Sequence, residues 1–255
     1  MTEVSTGDPV VVEDLEDRVV IRLNRPEVRN AINAEVVARL HEVCASLEAQ
    51  PRPAVLTGSD GVFAAGADVG ELVRRGREDA LAGINSSLFE RVRRLPLPTV
   101  AAVDGPALGG GAELAYACDL RVASTRARFA NPEPGLGIIA GAGACWRLRE
   151  LVGEGLAKEV LLAGRQLDAE EAKAARLVAR VVDPEELLGA AHELVDRMTR
   201  SSPLALRLTK LAVDASPDAH PGIDHLAQAV LFEHPEKVER MTSFLERRRA
   251  REARR

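Results

Sequence analysis

The stretch Thr99–Glu133, TVAAVDGPALGGGAELAYACDLRVASTRARFANPE, decides how the rest of the chain is read. Thr99 to Val103 is a short run of β-branched and small apolar residues, the pattern of a buried strand. Gly105-Pro106 breaks it, and three glycines, Gly109 to Gly111, follow. Gly110 to Cys118 then reads as a helix with Glu113 in its first turn, and Leu120 to Ala123 as a second strand. Strand, helix and strand on short links are the pattern of a layered α/β fold. Glu133 closes the stretch between Pro132 and Pro134. Backbone free of side chains, a helix N-terminus that favours negative charge, and two acids that a fold can bring together suit a developing oxyanion beside proton-transfer groups. On spacing alone, a tight turn with two surface glutamates accounts for the same residues.

Toward the N-terminus, Val10–Val12 and Val19–Leu23 flank an acidic turn and read as a hairpin. Asn24-Arg25-Pro26 reverses the chain. Asn33 is placed to cap a helix whose Val36, Val37, Leu40, Val43, Cys44 and Leu47 fall on one face, and Pro51 and Pro53 end it. Ala54–Thr57 reads as a buried strand and Gly58–Gly61 as a turn. Phe63–Asp68, FAAGAD, has almost no side chain to pack. Small residues in a loop let backbone N–H groups approach a ligand closely; a tightly packed turn fits them equally well. A charged helical segment, Asp79 to Arg94, is stopped by Pro96 and Pro98.

Toward the C-terminus, the chain is glycine-rich through Gly143 and then mainly helical. Asp168 and Glu171 have capping-box spacing, and Val181-Val182 is a brief strand. Pro184–Met198, Pro203–Ala215, Gly222–Phe232 and a segment from Pro235 read as helices. The change from mixed α/β to all helix near residue 200 is the only candidate boundary, which predicts a core over 1–199 and a helical region over 200–255. The basic end, Arg247 to Arg255, is either a solvated helix terminus or a contact for phosphate.

Composition narrows the function classes. The 255 residues are 46% hydrophobic, enough for one large core. A net charge of −5 argues against a nucleic-acid surface across the whole molecule. Cys44, Cys118 and Cys145 are odd in number and include no CxxC pair, which disfavours disulfides or a zinc cluster and favours a reducing cytoplasm. The polar, acidic MTEVSTGDPVVVEDLEDR predicts neither a signal nor a transit peptide, and no apolar run approaches a membrane span, so a soluble cytoplasmic protein is expected. Gly137, Gly141 and Gly143 have dinucleotide-like spacing but lie mid-chain, and Tyr116 is followed four residues on by Leu120 rather than lysine. There is no phosphate loop of the GxxxxGK[ST] type, no GxSxG elbow, and no metal-ligand spacing among the five histidines. Asp68, Glu113 and Glu133 are the polar groups that stand out near the unusual loops.

Ordered blocks along nearly the whole chain resemble the enoyl-CoA hydratase/isomerase (crotonase) superfamily. They are LNRPEVRNAIN, FAAGADVGEL, AAVDGPALGGGAELAYACDLRVAS, FANPEPGLGIIAGAG and AGRQLDAEEAKAARLVARVV, with SPLALRLTKLAV and FLERRR in the final helices. The resemblance implies a crotonase-type α/β spiral of ββα units. Its helical C-terminal region would serve trimer assembly, and two trimers commonly stack into a hexamer. It implies an acyl-CoA thioester as substrate, with no separate cofactor, no metal and no membrane partner. The thioester oxygen would be held by the backbone N–H groups of Ala67 and Gly110. Glu113 would polarise a water for C3 and Glu133 would protonate C2 of an enoyl thioester. CoA would lie against Val28 and Arg29 and the backbone around Ala65, Gly66, Asp68 and Val69. Arg29 either pairs with a phosphate or is an ordinary exposed loop arginine.

Having both acids favours a hydratase over an isomerase, a thioester hydrolase or a non-catalytic acyl-CoA-binding member. The chain departs from the family's usual Pro-Gly-Ala-Gly-Gly-Thr-Gln-Arg-Leu with Ala140–Leu148, AGAGACWRL. Trp146 there either reshapes the acyl pocket or packs at a trimer contact. Asn131 stands in place of the more usual glutamine.

Overall fold

A computed structural model describes residues 7–252. The first residues of the acidic N-terminal stretch and the last three of the basic end lie outside the described residues. Two compact units are distinguished, Met1–Arg197 and Met198–Arg255.

The first unit is built on a six-stranded sheet and a three-stranded sheet. In chain order the strands are β1 (Val10–Asp14), β2 (Val19–Leu23), β3 (Ala54–Thr57), β4 (Thr99–Val103), β5 (Pro106–Leu108), β6 (Leu120–Ser124), β7 (Arg128–Ala130), β8 (Leu167–Asp168) and β9 (Arg180–Val182). The large sheet runs β1-β2-β3-β4-β6-β9 and the small one β5-β7-β8. Only the β1–β2 hairpin of the large sheet is antiparallel, with Val12 opposite Ile21; Ala54 pairs Thr99 and Val100 pairs Leu120 in parallel register.

The sequence places each turn of the spiral. β4 belongs to the large sheet, Gly105 reverses the chain at φ +59°, β5 enters the small sheet, and the helix Gly110–Ala117 returns. β6, β7 and the helix Ala144–Val152 repeat that order one layer on. In the preceding turn Ala64 alone stands in for the small-sheet strand, bridging to Ala107. Parallel strands need such helical returns, and burial on both faces explains why β3 and β4, buried throughout, are apolar apart from Thr57 and Thr99.

The helix Ala34–Ala49 starts where Asn33 Oδ1 accepts from the Val36 N–H at 3.0 Å, and its six predicted core residues are the six it buries. Asp168 and Glu171 close a reciprocal capping box at 3.0 and 2.9 Å. The segment predicted as one helix over Asp79–Arg94 is two, Arg77–Ala82 and Ile84–Arg93. Gly83 between them takes the left-handed conformation, φ +62°, which glycine reaches without steric cost.

The second unit consists chiefly of the helices Pro203–Val213, Gly222–Glu233 and Pro235–Glu252. Ser202 caps the first of them. None of these three helices has a buried residue, and Leu226, Val230, Phe232, Met241 and Phe244 are exposed apolar side chains. Among the described residues no helix is long and apolar enough to cross a membrane.

Candidate active site

Two loops meet at the point where the chain steps from the large sheet to the small one. The Phe63–Asp68 loop is tied to β5 by Leu108 N–H donating to Ala64 O at 3.0 Å. It is tied to the Val28–Ile32 turn by Ala65 N–H to Arg29 O (3.0 Å), Ile32 N–H to Gly66 O (2.8 Å) and Asp68 N–H to Ile32 O (3.0 Å). These bonds use the N–H groups of Ala65 and Asp68 and the carbonyl of Gly66, but not the Ala67 N–H. Among the described residues, neither the Ala67 nor the Gly110 N–H donates to a backbone carbonyl or a side chain.

The two groups converge. A Cβ placed on Gly110 would stand 3.3 Å from Ala67 N, and one placed on Gly66 would stand 3.8 Å from Gly110 N. Gly110 opens its helix, so its N–H is one of the first-turn donors that have no intrahelical acceptor. A pair of such donors, fixed by the backbone and backed by a helix N-terminus, has the means to stabilise an oxyanion.

Glu113 lies one turn into that helix and is buried. Its Oε1 accepts from Ala142 N–H at 2.8 Å and from Ala144 N–H at 3.0 Å, the first turn of the helix Ala144–Val152. Burial pushes its carboxyl up to about 7 and the nearby Glu133 charge adds to the rise; the N–H groups of Ala144, Ala142 and Gly143 pull the other way.

Glu133 opens the 3₁₀ turn Glu133–Leu136 and is also buried. Burial raises its carboxyl above the usual range, opposed by its own backbone N–H and by Asn131. Its Oε2 is buried without a hydrogen-bond partner among the described residues, an uncommon and costly state for a carboxylate oxygen. Its Oε1 receives Asn131 Nδ2 at 3.5 Å, long for a hydrogen bond, and Tyr116 Oη donates to Asn131 Oδ1 at 3.3 Å. Gly109, at φ +50°, has to be glycine: a Cβ there would sit 3.1 Å from Glu133 Oε1. The glycine run therefore holds Gly110 open to Ala67 and leaves Glu133 room beside it.

The remaining predicted residues gather at the Val28 turn. Arg29 takes a left-handed conformation at φ +56°, and Val28 and Arg29 are exposed. Ala65 and Gly66 are bonded to this turn as described above. Asp68 caps the helix Val69–Leu72 through Glu71 N–H at 3.3 Å and lies 3.5 Å from Arg25 Nη1. Val69 is exposed. The structure thus bonds Arg29 and Ile32 to the Ala65–Asp68 loop and sets Gly66 and Ala67 beside the Gly110 donor.

Asn131 stood out in the sequence only as a departure from glutamine, and Tyr116 only as a tyrosine without its lysine. The link from Tyr116 through Asn131 to Glu133 was not legible there. The N–H groups of Ala142 and Ala144 were also missed; the signal was the Gly-Ala-Gly-Ala run opening a helix, which marks exposed first-turn donors. Among the described residues no group of three His, Cys, Asp or Glu side chains is arranged to hold a metal ion.

Fold and site together define a crotonase-type α/β protein, a spiral of ββα turns with paired backbone donors at one step and two buried glutamates beside them. The chain belongs to the enoyl-CoA hydratase/isomerase family, whose model matches residues 16–252. It is 35% identical over 251 residues to a short-chain-enoyl-CoA hydratase of Clostridium acetobutylicum, covering 94% of this chain and 95% of that one. It is 36% identical to a crotonyl-CoA hydratase of Syntrophomonas wolfei, over 94% and 96% of the two chains. The crystal structure of an enoyl-CoA hydratase from Bacillus anthracis superposes with a TM-score of 0.88 at 31% identity, over 94% and 96% of the chains.

Proposed function

We infer that this protein is an enoyl-CoA hydratase, a hydro-lyase that adds water across the 2,3 double bond of a 2-enoyl-CoA to give a 3-hydroxyacyl-CoA. The observation that carries the reading is the pairing of two free, convergent N–H groups with two buried acids of raised pKa. The thioester oxygen sits between the Ala67 and Gly110 donors. As the water oxygen bonds to C3, the π electrons move toward the thioester and that oxygen gains negative charge, which the fixed donors stabilise. Losing one such donor typically costs about 10²–10³ in rate.

Glu113, ionised, takes one proton from the attacking water. Glu133, protonated, delivers its proton to C2. One proton leaves water and one arrives at carbon, so the products differ from the reactants by one water. A carboxyl near 7 suits Glu113 to this, because it is ionised in a substantial fraction at neutral pH and still basic enough to accept a proton. Burial raises the Glu133 carboxyl as well, which favours its protonated form relative to a free glutamate. Asn131, held by Tyr116, orients it.

Val28, Arg29 and the backbone of Ala65, Gly66, Asp68 and Val69 hold the CoA portion of the substrate, with Arg29 available to a phosphate. No other cofactor enters this scheme. The exposed apolar side chains of the Met198–Arg255 unit supply the contact surface of a homotrimer, or of a hexamer formed from two trimers. The reading places the enzyme in the cytoplasm, in the breakdown or synthesis of acyl chains.

The test is hydration of a panel of 2-enoyl-CoAs beginning with crotonyl-CoA, followed by loss of the conjugated-enoyl absorbance and by product mass. A gain of one water is expected; unchanged mass with a moved double bond would assign an isomerase, free CoA a hydrolase. A wild-type protein inert on the whole panel would sink the reading.

A further inference from the structure

Beside Glu113 lies a cavity of ≈ 590 Å³, lined on one side by the helix Ile84–Arg93 and on the other by Ala142, Gly143 and Trp146. The Arg93 guanidinium carbon stands 5.3 Å from the centroid of the Trp146 ring, within the range of a cation–π contact. Glu90, one turn before Arg93, accepts from Arg93 Nε at 3.0 Å and Nη2 at 3.3 Å, and from Arg94 Nε at 2.5 Å. The side chains of Arg93 and Glu90 are 16% and 32% exposed, so the clamp is partly buried and still reaches water. Ser86 and Arg147 line the same cavity.

We propose that the Arg93–Trp146 stack, clamped by Glu90, is the wall that limits acyl length, making the site selective for short acyl groups. The inference rests on the acyl-CoA reading of the site and adds the part of the substrate it selects. Trp146 is two residues beyond Ala144, whose N–H holds Glu113, so the indole is set at a fixed offset from the reacting carbons. An alkyl tail binds only where it removes apolar surface from water. Beyond Glu113 the lining is not a continuous apolar tunnel: besides Leu81 and Phe89, a long tail meets the Arg93 guanidinium, the Glu90 carboxylate and Ser86. Burying those groups under methylenes strips their water without giving new partners. A short acyl group ends against the indole face and leaves the Glu90–Arg93 pair hydrated.

Calorimetric titration of the full-length protein with butyryl-CoA and decanoyl-CoA, saturated esters that cannot be hydrated, reads this wall without turnover. In the wild type, decanoyl-CoA is expected to bind no more tightly than butyryl-CoA. Trp146→Ala and Arg93→Gln are each expected to shift the ratio of the two affinities toward decanoyl-CoA by about tenfold or more, as methylenes gain apolar contact. The ratio comes from one preparation and is independent of the active fraction. Arg93→Gln leaves the helix that holds Glu113 untouched and decides the matter where Trp146→Ala does not fold. A wild type that already prefers decanoyl-CoA by about tenfold, or an unchanged ratio in the variants, overturns the wall. Absence of crotonyl-CoA hydration with the ratios as expected would overturn the hydratase reading and leave the wall standing. Failure to bind either ester would overturn both.

Discussion

Glu113 offers the sharpest physical test, because its burial has a consequence for stability that is separate from turnover. Its carboxyl has an ordinary value of 4.5 and lies near 7 in the folded protein, chiefly through burial. The folded state therefore holds a proton that the unfolded chain has already released between those two values. Stability tied to this group is fully present below pH 4.5, falls as pH rises toward 7, and is flat above that. At about 1.4 kcal/mol per pH unit, the whole loss is about 3 kcal/mol. Glu113→Gln keeps an oxygen that can accept from Ala142 and Ala144 N–H but has no proton to lose. Equilibrium urea unfolding of both proteins, at one protein concentration from pH 4.5 to 8.5, supplies the difference in unfolding free energy. The variant is expected to gain on the wild type by about 3 kcal/mol across that range, with most of the change before pH 7.5. A difference independent of pH, or one that moves in favour of the wild type as pH rises, would refute the account of Glu113 as a buried acid with a raised pKa.

Glu113→Gln and Glu133→Gln should each cut crotonyl-CoA hydration by at least about 10²-fold while near-native circular dichroism is kept, since general acid–base groups contribute about 10²–10⁴. Gly109→Ala places a methyl group 3.1 Å from Glu133 Oε1 at a left-handed φ; loss of hydration by about tenfold or more is expected, with kcat falling more than KM rises. Tyr116→Phe leaves Asn131 Oδ1 without its donor and should lower stability by about 1 kcal/mol in urea unfolding. Because it frees the amide that orients Glu133, it should also move the limb of the kcat/KM pH profile that Glu133 governs. Arg121→Met tests the support beneath the site. The buried guanidinium donates to the carbonyls of Leu177, Cys118, Ala115 and Asp119 at 2.7 to 3.4 Å. Removing it leaves several carbonyls unsatisfied, and the urea midpoint should fall by an amount equivalent to about 3 kcal/mol.

What the sequence made legible depended on the reach of each signal. The helix Ala34–Ala49 was readable in full, because its period and its Asn33 cap are both local. β3, β4 and β6 were readable as apolar runs between breakers. β5, β7 and β8 were not: two or three residues are too few for alternation to appear, and their pairing depends on a sheet formed by distant turns. The break at Gly83 was hidden because the charged helical pattern continues on both sides of it. At the site, the glycine run and both acids drew attention by composition, but the pairing of Ala67 with Gly110 rests on strand register between separate spiral turns. Only the family resemblance joined them beforehand. The hold of Ala142 and Ala144 on Glu113 is likewise a contact between turns.

The arrangement separates what must be rigid from what must titrate. The Ala67 and Gly110 N–H groups belong to the main chain, and the Arg29–Ala65, Ile32–Gly66 and Ala64–Leu108 bonds fix the loops that carry them, so they neither change protonation nor rotate. The two acids are side chains whose proton affinity is set by burial. In Glu113 that rise is offset by first-turn N–H groups of a helix from the next turn of the spiral. That helix is the element on which the separation is least complete. Its first residues hold the acid, and Trp146, immediately after them, lines the cavity. A change in the wall that moved the start of this helix by a fraction of an ångström would also alter the hydrogen bonds that keep Glu113 near neutrality. Arg93 approaches Trp146 from the opposite helix and is clamped to Glu90 of that helix, so it adjusts the wall without touching the acid's donors. On the proposed reading, selectivity is therefore most freely altered from the Ile84–Arg93 side, whose side chains line the cavity beside Glu113 without holding either acid.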